Sequence, residues 1–247
     1  MPLAHHILDP SLPFVADNVC ALAVMTKAPR AGRVKTRLVP PMSAQEAAEL
    51  NICFLRDTAD AIAKACRSTV RGVAVYTPIG AESAYDEILP QQFELLPQRG
   101  DGFGQRLAFA VEDLFQCGFS SVCLIDSDSP TVSGEIYTNA SELLLQPQER
   151  VVLGPSDDGG YYLIGLKRHR PELFERIDWS TERVLEQTKA RAQELKLEIS
   201  LLPTGYDVDD AATLQRLREE LLSDQSPADI APHSRKFLAE LVTKKRL

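Results

Sequence analysis

The sequence predicts an α/β domain: a mostly parallel central sheet flanked by helices on both faces. Three observations carry that prediction. Short apolar runs alternate with longer segments of helical periodicity between residues 21 and 222. Several runs are apolar at every position, as in strands covered on both sides. Polar clusters containing Gly and Asp follow several runs, where an open α/β sheet binds its ligands.

Residues 21–25 (ALAVM) read as a buried strand. Ser43 and Glu46 form a capping-box signature, opening a helix with Ala47, Leu50, Phe54, Thr58, Ala61, Ile62 and Ala65 on one stripe. Residues 72–77 predict a second strand, 81–89 a short helix stopped by Pro90, and 93–96 a third strand. A glycine-rich turn at 100–104 leads into a helix over 105–117. Residues 122–125 (VCLI) are a strand ending on Asp126, and 133–145 a helix. Strands at 151–153 and 161–166 flank the turn GPSDDGG. A helix over 180–196, with Ser180 and Thr181 as its cap, a strand over 198–202 and a helix over 211–222 follow.

This organises the chain into an extension (1–18), a catalytic domain (19–222) and a basic C-terminal tail (223–247) suited to a helix or an oligomer arm, as in a homodimer. With 247 residues, 44% hydrophobic and 25% charged, the composition is that of a globular protein with a substantial core. A net charge of −8 argues against a nucleic-acid surface. Five cysteines without a C-x-x-C pair point to a reduced, cytoplasmic protein without a zinc site. No signal peptide and no membrane span are expected. The four histidines show no metal or triad spacing and read as surface residues.

Against that acidic background, residues 27–37 carry five cations: Lys27, Arg30, Arg33, Lys35 and Arg37. Gly32 lets the backbone approach a ligand. Such a loop suits a polyphosphate, through charge-assisted bonds and backbone amides. It competes with the reading of a solvated basic loop, and it is not a Walker A sequence. Asp126 and Asp128 leave a buried strand as alternate carboxylates, suited to Mg²⁺ or Mn²⁺ or simply to a helix-capping turn. Asp157 and Asp158 precede Gly159, Gly160 and Tyr161; a carboxylate there could act as general base, or the segment could be a hairpin turn. Asp207, Asp209 and Asp210 precede a helix that one of them should cap, and another could complete a metal site opposite Asp128. Trp179, the sole tryptophan, lines a pocket or packs in the core.

Residues 27–38 (KAPRAGRVKTRL) resemble the opening of a bacterial family labelled glycosyltransferase-A-like, or arsenosugar-biosynthesis glycosyltransferase. Blocks at 98–106, 125–130, 154–165, 179–181 and 207–209 resemble it in the same order, over about residues 20–220. The resemblance implies a nucleotide-diphospho-sugar transferase fold related to the molybdenum-cofactor guanylyltransferases. It implies that the loop after the first strand binds phosphates, that Asp128 holds a divalent cation with Asp209 as partner, and that Arg106 contacts the nucleotide. Asp126 stands where that family often has glycine, so it ranks below Asp128 as a ligand. Gly159, Gly160, Tyr161 and Trp179 are the expected substrate contacts.

The expected function is metal-dependent glycosyl transfer from a nucleotide sugar to a small-molecule acceptor, with Asp158 or Asp157 as base. The alternatives are nucleotidyl transfer from an NTP with pyrophosphate release, and a non-catalytic nucleotide-binding subunit. The G-G-x-x-x-R-x-G-x-x-K pattern of many nucleotidyltransferases is missing.

Overall fold

A seven-stranded sheet forms the centre of the computed structural model, which describes residues 4–12 and 18–246. The strands are β1 (Cys20–Lys27), β2 (Val70–Thr77), β3 (Glu94–Pro97), β4 (Ser121–Ile125), β5 (Arg150–Pro155), β6 (Tyr161–Leu166) and β7 (Glu198–Leu201). Their spatial order is β3-β2-β1-β4-β6-β5-β7. All run parallel except β6, which is antiparallel to both β4 and β5. The expected fold class is therefore observed. Of the expected N-terminal extension, residues 1–3 and 13–17 lie outside the described residues. Within 4–12, Ile7 bridges to Leu95 on β3, and His5 is buried with its Nδ1 3.0 Å from the Phe93 carbonyl. The reading of His5 as a surface residue is thus corrected: the ring lies in the interior, where Nδ1 meets a main-chain oxygen and Nε2 has no hydrogen-bond partner among the described residues.

The helices are α1 (Ala44–Ala65), α2 (Phe103–Gln116), α3 (Gly134–Leu145), α4 (Val184–Glu194), α5 (Ala211–Leu222) and α6 (Pro232–Thr243). On β1 the alternation of the strand divides the core: Cys20, Leu22 and Val24 face the layer of α1 and α3, while Ala21 and Ala23 face the layer containing α2. A third apolar cluster joins Leu38 and the start of α1 to α5 and α6 through Leu50, Phe54, Val208, Leu217, Leu238 and Leu241. The C-terminal segment expected as a tail contains α6, whose N-terminus is capped by Asp57 of α1. That carboxylate accepts from the His233 and Ser234 amides, each at 2.9 Å, and from Ser234 Oγ at 2.6 Å.

Two elements differ from expectation. The short helix at 81–89 is a 3₁₀ turn over Glu82–Tyr85. The helix expected from Ser180 begins only at Val184. Ser180 has φ 64, and Thr181 Oγ1 donates to the Asp178 carbonyl instead of capping. The cause is tertiary: segment 180–185 is pressed against Gly159, whose carbonyl accepts from the Leu185 amide at 2.9 Å.

The capping box of α1 is present. Glu46 N donates to Ser43 Oγ at 3.2 Å, and Ser43 N to Glu46 Oε2 at 2.8 Å. Arg246 also pairs with Glu46, at 3.2 Å. Together, with Arg246 contributing most, these donors pull the Glu46 carboxyl from 4.5 down to about 2. A depressed folded pKa means stability that is present above pH 4.5 and lost as the pH falls toward 2. Glu46→Gln is expected to cost about 1 kcal/mol at neutral pH and to flatten the acid decline. Urea titrations at pH 7 and pH 3 check this; an equal difference between variant and parent at both values would contradict it.

Candidate active site

The carboxyl ends of β1, β4, β5 and β7 lie at one edge of the sheet, and antiparallel β6 starts there too. The four polar clusters predicted from sequence therefore share that edge. Backbone bonds lock them together. Val208 N donates to the Asp128 carbonyl at 2.9 Å, Asp157 N to Gly205 O at 3.1 Å, and Asp126 N to Tyr162 O at 2.9 Å.

Two cavities open here. The larger, about 560 Å³, is walled by Met25, Phe103, Trp179, Asp158, Glu182 and Asp126, among others. The smaller, about 270 Å³, is lined by Lys27, Arg33, Lys35, Arg37, Asn51 and Ser127. Arg37, Ser127, Asp128 and Asp209 border both. One cavity is thus aromatic and acidic, the other basic, with a carboxylate pair on the common wall.

Lys35 ties that wall together. Its Nζ lies 2.9 Å from Asp128 Oδ1, 2.8 Å from Asp209 Oδ1 and 2.8 Å from the Val208 carbonyl. All three ammonium protons therefore have acceptors. The side chain is only 4% exposed, whereas Asp128 and Asp209 are 34% and 43% exposed. Burial alone would lower the Lys35 pKa; the two carboxylates outweigh it and raise it. Lys35 reaches this position with φ 48 and ψ 38, a left-handed backbone that costs a non-glycine residue about 1 kcal/mol or more.

Asp128 and Asp209 offer hard oxygen donors near enough to share one cation. Among the described residues no group of three His, Cys, Asp or Glu side chains could hold a metal. Two carboxylates suit a divalent ion whose other ligands are phosphate and water oxygens, the usual manner of Mg²⁺. Asp126 is a poorer donor. It accepts from Ser129 Oγ at 2.8 Å, and burial, with Asp128 beside it, pushes its carboxyl well above the usual range. Asp207 is also raised, by burial and by the charge of Asp158.

The other sequence candidates separate. Asp158 lines the larger cavity and accepts from the Gly160 amide at 2.8 Å. Asp157 is not in either lining and pairs with Arg216 on α5. Gly160 and Tyr161 border the larger cavity, while Gly159 lies behind its wall with φ +90, against Glu182. Trp179 stands edge-on to Phe103, ring centroids 5.2 Å apart, and covers Gly104 so closely that an added Cβ would lie 2.4 Å from its Nε1. Lys27 and Arg37 line the basic cavity; Arg30 and Gly32 are exposed outside it. Arg106 donates to the Gly100 carbonyl at 3.2 Å and is not in either lining. Arg33, one of the five cations of the loop, lines the basic cavity, whereas sequence reasoning did not single out Asn51, Phe103 or Glu182 as site residues. Asn51 had a legible signal, a polar residue beside the apolar stripe of α1. Asp210 is the N-cap of α5, accepting from the Thr213 amide at 2.8 Å.

Residues 58–181 match the family described as "Uncharacterized protein conserved in bacteria (DUF2064)". The chain belongs to that family. The matched span of DUF2064 includes Asp128, Asp158 and Trp179 but neither Lys35 nor Asp209. No curated protein matches this chain. Among solved structures, a Desulfovibrio desulfuricans G20 protein, itself only provisionally assigned as a nucleotide-diphospho-sugar transferase, is 27% identical. The match covers 91% of this chain and 95% of that one with a TM-score of 0.79. A nucleotidyl transferase from Methanothermobacter thermautotroptrophicus is 12% identical, over 82% and 97% of the two chains, with a TM-score of 0.53. A Mycobacterium tuberculosis H37Rv protein solved with manganese is 16% identical, over 82% and 98%, with a TM-score of 0.51. The last two establish a shared fold for this DUF2064 member. No helix among the described residues is long and apolar enough to cross a membrane.

Proposed function

We propose that this DUF2064 protein transfers a glycosyl group from a nucleotide-diphospho-sugar to a small acceptor in the larger cavity. The observation that carries the reading is the common wall. A phosphate-suited basic cavity and an aromatic, acidic cavity meet at Asp128 and Asp209. Similarity to a provisionally assigned nucleotide-diphospho-sugar transferase supports the same class.

In this reading, Lys27, Arg33 and Arg37 hold the diphosphate by charge-assisted bonds. Asp128 and Asp209 hold Mg²⁺ or Mn²⁺, which when bound would neutralise charge on the departing phosphate. Asp158 takes the proton of the acceptor hydroxyl. The acceptor oxygen bonds to the anomeric carbon, the bond from that carbon to the phosphate oxygen breaks, and its electron pair leaves with the diphosphate. Phe103 and Trp179 present apolar rings to the sugar or acceptor. The pairing of Asp157 with Arg216 supports Asp158 as the base.

Incubation with Mn²⁺ or Mg²⁺ and panels of nucleotide sugars and NTPs is the test. Release of a nucleoside diphosphate from a sugar donor is expected. Pyrophosphate release from an NTP would replace this reading with nucleotidyl transfer, which the same wall also suits. Nucleotide binding without turnover would make the protein a binding subunit. Asp158→Asn should keep donor affinity and lose about 10²–10⁴-fold in turnover. Unchanged turnover would remove Asp158 from the chemistry.

A further inference from the structure

Lys35 fills the place a divalent cation would take. Its ammonium satisfies Asp128, Asp209 and the Val208 carbonyl at once, and Nζ stands over the Phe54 ring, 5.6 Å from its centroid. A metal ion and the Lys35 ammonium cannot both occupy the place between the two Oδ1 atoms, because like charges at contact distance repel. A metal can take those two oxygens together only if Lys35 leaves.

Where Lys35 can go is also fixed. Its side chain borders the smaller cavity, whose other cations are Lys27, Arg33 and Arg37. Arg37 itself stands 3.8 Å from Asp209. Moving a further ammonium among these groups, away from its two carboxylates, is unfavourable unless an anion is already present. A polyphosphate supplies that anion. Gly32, with φ +72 and nothing within 4 Å of where a Cβ would stand, faces open space on the same loop.

We propose that Lys35 is an exchangeable internal cation, so that a divalent metal and a phosphate anion enter as a coupled pair. The metal displaces Lys35 from Asp128 and Asp209, and the phosphate receives the released ammonium. Neither ligand alone binds well. Lys35 then acts first as a lock on the carboxylates and afterwards as a phosphate contact, which makes it a positioning residue for the metal. The inference rests on the metal reading of Asp128 and Asp209.

The test uses the full chain, Mn²⁺ and inorganic pyrophosphate, with bound Mn²⁺ read by electron paramagnetic resonance and free Mn²⁺–pyrophosphate accounted for. The unmodified protein is expected to bind Mn²⁺ alone weakly and at least about 10-fold more tightly with pyrophosphate present, within the usual range of coupling between sites. Lys35→Met is expected to bind Mn²⁺ alone at least about 5-fold more tightly than the unmodified protein and to lose most of the gain from pyrophosphate. Equal Mn²⁺ affinity in the two proteins overturns the exchange while leaving the metal site standing. Absence of Mn²⁺ binding in both, with and without pyrophosphate, overturns the metal reading as well. If Lys35→Met does not fold, the unmodified protein still decides: a Mn²⁺ affinity indifferent to pyrophosphate overturns the coupling.

Discussion

Asp128→Ala is expected to abolish metal-dependent nucleotide binding and to lower turnover on the order of 10³-fold, the several kcal/mol that a metal's charge stabilisation is worth. Asp128 follows the buried strand β4, borders both cavities and is one of the two carboxylates that meet over Lys35. The fold should survive its loss, because Lys35 keeps Asp209 and the Val208 carbonyl as acceptors. The Asp128 main chain, which accepts from Val208 N, is untouched. Circular dichroism and thermal melting would establish folding, and titration with Mn²⁺ and a nucleoside diphosphate would read binding. Affinity equal to that of the unmodified protein would take Asp128 out of the metal site. Asp126→Asn should do much less, since that carboxyl is engaged by Ser129 and held toward its neutral form.

Gly159→Ala is expected to be the most destabilising change at the site, about 3 kcal/mol or more. A Cβ there would lie 2.1 Å from the Glu182 carbonyl oxygen and 2.6 Å from its Cα, and φ +90 is foreign to a side-chain-bearing residue. Both obstructing atoms are backbone, so no rotamer change relieves the clash. Either the protein loses stability, or segment 180–185 moves off and takes Thr181, Glu182 and Val184 out of the cavity wall. Urea unfolding reads the first outcome and Trp179 fluorescence the second. Gly160→Ala is the control, because its nearest obstacle is the end of the Asp158 side chain at 3.1 Å. Equal, small effects at the two positions would show that the clamp between Gly159 and Glu182 is not tight.

The sheet and most helices were legible because their signals are local. The capping box of Ser43 and Glu46 and the apolar runs of β1 and β4 need no knowledge of the rest of the chain. The start of α4 was not legible. Ser180 and Thr181 look like a cap, but contact with Gly159, about twenty residues earlier, overrides that preference. At the site, the sequence indicated which loops share an edge, because parallel strands place successive loops together. It could not indicate direction. Asp157 and Asp158 are equivalent as text; Arg216 on a distant helix takes one and leaves the other facing the cavity. Lys35 likewise reads as one of five interchangeable cations. Only the left-handed turn at that residue sends it inward to the carboxylates, while Lys27, Arg30, Arg33 and Arg37 remain exposed.

The bond between Lys35 and Asp209 spans 174 residues. All seven strands are complete by Leu201, so the sheet has its full material before Asp209 is added to a growing chain. Leu38, on the same loop as Lys35, must also wait for partners such as Val208, Leu217 and Leu238. A chain still being translated can therefore hold every strand of its sheet while half of its carboxylate pair does not yet exist. Ligand cannot rescue such an intermediate, since binding stabilises only the form that contains the site. Under the proposed function, any protection against proteolysis that depends on this ligand would reach only chains extended past Asp209.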